Sequence, residues 1–567
     1  MRRSEKNPLL FKNGNPAAPG LMEQLSFVYS CVKPFIWRAI AVIAVVLLIW
    51  AASCISPMLQ QNLVDSFNNF DKRGVLIYGI LTAVTLLIWR GGDTLWGLLA
   101  SLLNVQMGAH LKKIFFRHLL KLPLGVIESG GAGYLGQRLH LDIEIVTSFI
   151  CGGLLSLFLN FMKLCGAVVL LSSYDAGMML SSAPVLLIFF ILVWVFRRRQ
   201  YNLSMRINEA AAEYRRNMQN SLDRMTLFKS RSGERLVDRR VNRNLERVTM
   251  LRLSRIRWER FYTLSLQIVP AVWFAMVWCY GALQVLDRAP DWTLGKLWAV
   301  SGYMLLIFMP GKMFFAGLLA KRNSDAALAR LLELKTMLPE ESNVKGKINK
   351  RASGGSVEFD NISFAYPGGK KVFNNFSLSL ADGEHIGICG PSGGGKSTLG
   401  ALLLRLYDVS MGEIRLNGKK LTDYSLNALR QSVGYIGQST ELFYASVREN
   451  LSHGGGYSDA RIIDVLRRTG LGERLDENPE LLDLQIREDG SNFSAGERLK
   501  LALARELLRD TKVLVLDEAT SMLDAESEKK VFELLRGEWK DRTVIFISHR
   551  DFASGTMDRI VKIGIKG

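Results

Sequence analysis

Eight consecutive residues, Gly390-Pro391-Ser392-Gly393-Gly394-Gly395-Lys396-Ser397, fit the pattern G-x4-G-K-[S/T]. Glycines so spaced let backbone N–H groups close around phosphate oxygens, with a helix N-terminus adding its partial positive charge. Lys396 is then placed to reach β- and γ-phosphates and the Ser397 hydroxyl to ligate Mg²⁺, with Thr398 opening the same helix. Further along, Lys512-Val-Leu-Val-Leu-Asp517-Glu518 reads as a buried strand ending in two acids. Asp517 suits a Mg²⁺ ligand, directly or through water, and Glu518 a general base that polarises the attacking water. The chemistry these residues spell is hydrolysis of a nucleoside triphosphate.

Such groups need a parallel strand–helix frame to hold them. A strand reading HIGIC leads into the glycines and a helix reading TLGALLLRLY leads out, a context that a chance glycine-rich turn would lack. Residues 355–567 alternate strand and helix and predict an α/β domain. Residues 322–354 read as a short helix and then a Gly/Ser/Lys linker.

Before Lys321 the chain is different material. Six apolar runs, near 37–59, 75–103, 147–171, 176–196, 261–285 and 296–319, reach the length of about 20 residues that crosses a bilayer. Stretches such as AVIAVVLLIWAA and PVLLIFFILVWVF have no polar face to present to water. Only Ser172, Ser173, Tyr174 and Asp175 separate the third run from the fourth, which makes them an antiparallel pair. A greasy half averaged with an ordinary half explains how 49% hydrophobic residues coexist with 22% charged ones. The predicted fold is therefore multi-domain: a cytoplasmic segment (1–36), an all-α six-helix transmembrane domain (37–321), the linker, and the α/β domain.

The net charge of +19 could signal nucleic acid, but its placement argues otherwise. Arginines crowd residues 197–260, and HLKKIFFRHLLK follows the second run, whereas residues 172–175 carry no Lys or Arg. The positive-inside bias puts the basic tracts, both termini and the α/β domain on the cytoplasmic side of a cell membrane, with no nucleic-acid partner required. The two tracts continue their neighbours' helical pattern beyond the bilayer. They are expected to turn near Gly130, Gly131 and Gly133, and again between Arg216 and Lys229. The N-terminus has no apolar core or cleavage site of a signal peptide. Cys31, Cys54, Cys151, Cys165, Cys279 and Cys389 form no close CxxC pair and read as small apolar residues rather than disulfides or metal ligands. Inside the runs, Arg90 and Asp93 are spaced to pair on one helix face, while Asn160, Lys163 and Gln267 suit a partly polar cavity. Pro184, Pro270 and Pro310 are candidate kinks.

With these motifs in hand, the half from about residue 355 onward resembles the nucleotide-binding domain of the ABC family. The six runs ahead of it make nearly the whole chain similar to an exporter-type half-transporter of the bacterial peptide, lipid and multidrug kind. The resemblance implies further roles. Tyr366, in ISFAYPGG, stands where the family stacks a ring on adenine; Gln438, in VGYIGQSTELF, where a glutamine touches Mg²⁺ and water. Ser494, Ala495, Gly496 and Glu497 match the family signature, Asp524 the loop that communicates across a dimer, and His549 the switch histidine near the γ-phosphate. Ile486, Arg487 and Glu488 lie where exporters contact their transmembrane helices. Three departures stand out. The signature reads Phe-Ser-Ala-Gly-Glu in place of Leu-Ser-Gly-Gly-Gln, Arg487 replaces a glycine, and IVKIGIKG stops short of the usual C-terminal strand and helix, as a truncated chain would.

The resemblance also implies ATP and Mg²⁺ as cofactors and a nucleotide site split between two copies, the signature of one completing the phosphate loop of the other. That predicts a homodimer, with a heterodimer as the variant, embedded in membrane lipid and moving an unidentified substrate by alternating access. A modified peptide or other amphipathic molecule is the expected cargo. The alternatives are a lipid or drug exporter, or an importer of a metal-chelator complex on the same fold. A soluble ABC ATPase is excluded by the six runs.

Overall fold

The computed structural model describes residues 20–174, 176–287, 292–340, 348–366, 369, 371–439, 442–487, 490–549 and 557–564. Contacts divide the chain into two compact units. Among the described residues, one holds those from 20 to 114 and from 137 to 333; the other holds those from 334 to 564 together with 115–136.

The first unit is built from helices. A short α1 (Leu21–Val32) precedes α2 (Ile36–Asn68) and α3 (Lys72–Leu119). After α4 (Leu124–Gly130) and α5 (Ala132–Gln137), a π-helical turn, α6 (Ile143–Ser148), a second π-helical turn and α7 (Leu154–Tyr174) run on as one rod. There follow α8 (Ala176–Asp223), α9 (Met225–Ser230), α10 (Glu234–Leu286) and α11 (Leu294–Thr336). Five of these helical stretches are long and apolar enough to cross a membrane among the described residues. The run at 176–196 forms the first half of α8, which packs along α10. At 1.5 Å per residue the 48 residues of α3 and the 53 of α10 give rods of roughly 70–80 Å, more than twice the hydrocarbon thickness.

The chain turns after α3 at Leu120–Pro123, earlier than the glycines alone suggest, because Pro123 opens α4; Gly131, with φ +73°, then ends it. The second turn is made by α9. The helix α7 runs through Ser172 and Ser173 to Tyr174, and Asp175 lies outside the described residues. Pro57 also sits within a helix, where Gly302 packs against its ring.

The second unit is α/β. An antiparallel sheet of β1 (Val357–Ala365), β2 (Lys371–Leu380), β4 (Met411–Leu416) and β5 (Lys419–Lys420) runs in the order β2-β1-β4-β5. A five-stranded parallel sheet comprises β3 (His385–Cys389), β6 (Val433–Ile436), β7 (Val513–Asp517), β8 (Thr543–Ser548) and β9 (Arg559–Lys562). Its order is β6-β7-β8-β3-β9. The strands β3 and β7 are buried throughout, as parallel strands covered on both faces must be. Helices α12 (Lys396–Leu403), α13 (Leu426–Ser432), α14 (Val447–Ser452), α15 (Asp459–Leu466), α16 (Gly472–Glu477), α17 (Ala495–Arg509) and α18 (Ala525–Glu538) complete the unit. Trp539, Phe546, Leu503 and Leu514 anchor one of its two apolar cores. Ligand sites in such sheets form beyond the carboxyl ends of the strands, and here β7, β8 and β3 end side by side.

Candidate functional site

The glycine loop leaves β3 and enters α12. Gly395 caps the helix with φ +87°, and a Cβ there would press into Val372 and Phe373. At Gly390 a Cβ would lie 2.1 Å from the Ile563 carbonyl oxygen, so only glycine permits the close pass of β3's exit against that backbone. Between them run Pro391, Ser392, Gly393 and Gly394, with the Gly394 N–H donating to the Pro391 carbonyl. Lys396 is buried, its ammonium donating to the Gly390 and Pro391 carbonyls at 2.9 and 3.0 Å.

The neighbouring strands supply the acids. Ser397 Oγ donates to Asp517 Oδ1 at 3.0 Å, while Tyr435 donates its hydroxyl to Asp517 Oδ2 at 2.8 Å. Glu518 stands at the end of β7 with φ +53°, a left-handed backbone uncommon for residues other than glycine. Its N–H is bonded to the Ile547 carbonyl of β8 at 3.0 Å, which holds that conformation. His549, just past β8, places Nε2 2.5 Å from Glu518 Oε1. The Lys396 ammonium lies 3.3 Å from His549 Nδ1. An ammonium can only donate, so Nδ1 accepts and Nε2 carries the proton toward Glu518. Lys396, His549 and Glu518 thus form one directed chain beside Ser397 and Asp517.

A cavity of about 410 Å³ opens onto this group, lined by Ser397, Tyr435, Gln438, Asp517 and Glu518, and on α17 by Arg505 and Glu506. Its hydroxyl and carboxylate oxygens are hard donors, the kind Mg²⁺ selects. Burial pushes the Glu506 carboxyl above the ordinary glutamate range, against the pull of Arg509 and Arg505; Arg509 holds it with two bonds of 3.0 and 3.1 Å.

Tyr366 lies to one side. Its hydroxyl meets Thr398 Oγ1 at 3.1 Å, and its ring stands edge-on to Tyr407 at 5.1 Å and 84°. Tyr407 in turn donates its hydroxyl to Glu128 on α4, and Gly125 of that helix admits the Tyr407 ring at a distance where a Cβ would crowd it. Burial first, and Glu128 second, push the Tyr407 phenol above its ordinary range.

The signature residues sit elsewhere. Ser494 caps α17, its Oγ accepting from the Glu497 N–H at 3.2 Å while its own N–H donates to Glu497 Oε2 at 2.7 Å. Arg474 pairs with the same carboxylate. A glutamate at this position therefore closes the cap and an ion pair together. Ala495 opens the helix, and Gly496 has room for a methyl group, meeting only Leu523 at 3.7 Å. Asp524 caps α18 through the Ser527 N–H. Among the described residues, neither Ser494–Glu497 nor Asp524 lines the cavity at Ser397. Ile486 is buried in the α/β core and Arg487 is exposed; Glu488 lies outside the described residues.

Sequence reasoning missed Tyr435, Tyr407, Glu128, Arg505 and Glu506. One signal was available: Glu506 falls on the apolar stripe of LALARELL, where an acid needs a partner or a purpose.

Residues 373–521 match the family profile described as "ABC transporter", and residues 35–310 match "ABC transporter transmembrane region". An ATP-dependent lipid A-core flippase of Haemophilus influenzae (strain 86-028NP) is 28% identical over 545 residues, covering 94% of this chain and 92% of that protein. The flippase so named in Escherichia coli (strain K12) is 27% identical over 529 residues, covering 90% and 87%. A bacterial Atm1-family ABC exporter solved with ATP bound superposes with a TM-score of 0.79 at 21% identity, covering 93% of each chain. The chain belongs to the ABC transporter family. It is an exporter-type half-transporter of that family, a multi-pass membrane protein whose ATP-binding domain drives transport.

Proposed function

We propose that two copies of this chain pair to export a lipid-like amphipathic molecule, with ATP hydrolysed at the Lys396–His549–Glu518 chain. The directed contact from Lys396 through His549 to Glu518, beside Ser397 and Asp517, carries the reading. Lys396 would bind the β- and γ-phosphates, and Glu518 would accept the proton of the attacking water while His549 fixes its carboxylate. Tyr366 would stack on the base. Ser397, Asp517 and Gln438 would hold Mg²⁺, which supplies charge neutralisation at the phosphates.

Pairing is supported by the signature. Ser494, Gly496 and Asp524 stand outside the cavity that holds Ser397, so both sets would serve one nucleotide only if supplied by two copies. All the hydrolytic residues are present, which favours identical copies. On this reading residues 37–321 are the transmembrane domain and 355–567 the cytoplasmic ATPase domain, with both termini cytoplasmic in an inner membrane. The relatives named as lipid flippases favour an amphiphile over a peptide.

The test is Glu518→Gln in lipid nanodiscs. It should bind ATP as the parent does and hydrolyse it about 10²- to 10⁴-fold more slowly. Hydrolysis at the parental rate would remove Glu518 from the role of base.

A further inference from the structure

Lys163 is a cation inside a membrane-spanning helix, and its residue is only 8% exposed. Charge at such depth is costly, and an ionisable group there normally pairs or serves a ligand. Lys163 has no hydrogen bond or ion pair among the described residues. Its ammonium lies over the Trp89 ring, 5.6 Å from the centroid. The charged groups near it are Asp93, which attracts it, and Arg90, which repels it. Arg90 and Asp93 do not pair as their spacing suggested; Arg90 lies 5.2 Å from the Trp89 ring centroid. The corner therefore carries one positive charge in excess.

Two orphaned polar atoms on α3, one of them on the Trp89 ring that Lys163 overlies, are donors too. Trp89 and Trp96 share a face of α3 with Asp93, and both indole N–H groups are buried without an acceptor. They pack with Trp50, Val46, Ile49 and Leu159 in one cluster between α2, α3 and α7. A buried place with an excess cation and two unmatched donors is short of one acceptor anion.

An apolar cavity of about 520 Å³ adjoins it, lined by Trp50, Cys54 and Met58 of α2, Phe161 and Gly166 of α7, and Tyr303 of α11. The volume falls in the range of small-molecule sites. Gly166 lets α7 approach α2: a Cβ there would stand 2.9 Å from Cys54 Sγ. Lys163 is one turn before Gly166 on α7 and directly follows Met162, which also lines the cavity. The charged residue and the apolar space are thus neighbours on α7.

We infer that this corner binds the transported molecule as an anionic amphiphile, its hydrocarbon in the cavity and its negative group against Lys163 and the two indole N–H groups. The inference rests on the export reading above and narrows its cargo. The experiment uses the full chain in zwitterionic nanodiscs with two probes of one acyl chain, oleoyl lysophosphatidate and oleoyl lysophosphatidylcholine, following binding and ATPase stimulation. The parent should bind and respond to the phosphate monoester at a concentration about tenfold lower than the choline ester, the worth of one charge-assisted contact. Lys163→Met should erase that preference and Lys163→Arg should keep most of it, while Met58→Trp, which fills the cavity, should weaken both probes alike. Unchanged headgroup preference in Lys163→Met would overturn the inference. So would lysophosphatidate that binds without altering ATP turnover, as a resident lipid would. Failure of the ATPase reading registers separately, in Glu518→Gln without any probe.

Discussion

Charge is buried in two networks of this chain, and the two are built differently. In the helical unit Arg330 grips Asp142 through Nε and Nη2 at 2.8 and 2.5 Å, while Arg138 donates to Glu333 at 3.0 Å and to the Arg330 carbonyl at 3.3 Å. Arg138 and Asp142 are almost fully buried, and every carboxylate there faces a guanidinium. At the carboxyl ends of β3, β7 and β8 in the other unit, Lys396 meets His549 and His549 meets Glu518, while Ser397 meets Asp517, and a cavity of about 410 Å³ lined by Ser397, Asp517 and Glu518 opens beside them. The first network is closed and ties α11 to the rod that ends in α7. The second is open and holds its groups in place for a ligand. Breaking the first should cost stability and spare the chemistry. Breaking the second should do the reverse.

The sharpest break is Arg330→Met, which strands the Asp142 carboxylate. Loss of one partner of a buried pair costs about 3–5 kcal/mol, and the partial exposure of Arg330 puts this site at the lower end. Thermal unfolding in detergent should show a lower midpoint, with ATP turnover per folded molecule retained. The double replacement Asp142→Met/Arg330→Met should recover much of the loss, because no orphaned charge remains. A double variant as unstable as the single one would mean that the pair does more than cancel charge.

His549→Gln makes the opposite cut. The amide cannot both accept from Lys396 and hold Glu518 at the imidazole's geometry, so hydrolysis should fall by about 10²-fold, some 2.7 kcal/mol, with the melting midpoint unchanged. Parental turnover would show that Glu518 needs no such support, and that its φ of +53° suffices to aim it.

The two networks were not equally legible. The open one follows from local motifs: Gly390 to Ser397, Asp517-Glu518 and His549 are each fixed by a strand end, and the parallel order of β7, β8 and β3 assembles them. The closed one joins residues 188 and 195 positions apart, and nothing in the charge pattern of 138–142 names 330 or 333 as partners. The apolar runs revealed the helices by hydropathy alone. Arg90 and Asp93 show its limit: spacing offered a pair on one helix face, but the Trp89 ring took the guanidinium. The signature shows another. Glu497 reads as a departure, yet the structure uses it as the N3 residue of a capping box, a local rule that S-x-x-E states in the sequence itself.

A third contact falls between the two kinds. The Tyr407 hydroxyl reaches Glu128, but both side chains are partly in solvent, so Tyr407→Phe should cost at most about 1 kcal/mol. The ring stays against Tyr366 and Gly125, and ATP affinity should hold. Hydrogen exchange should quicken at residues 124–130 and not in β3 or β7. If α4 keeps its protection, ring packing rather than the hydroxyl fastens it.

The smallest effect belongs to Glu497, and it is set by pH. Burial works to raise its carboxyl pKa, but the Arg474 bond and the Ser494 donors outweigh it and hold the group below the ordinary glutamate range. A carboxyl that is more acidic folded than unfolded contributes stability above its unfolded pKa of about 4.3 and loses it as the pH falls through the folded value. Glu497→Gln keeps an acceptor for the Ser494 N–H but gives up the Arg474 ion pair, so it should melt slightly below the parent at pH 7. The gap should begin to narrow as the pH drops below about 4.3, where the unfolded chain takes up its proton, and close below the lower folded value, where the native carboxyl does so too. A gap that persisted undiminished into acid would assign the difference to amide geometry in the cap, and the ion pair with Arg474 would then contribute nothing measurable.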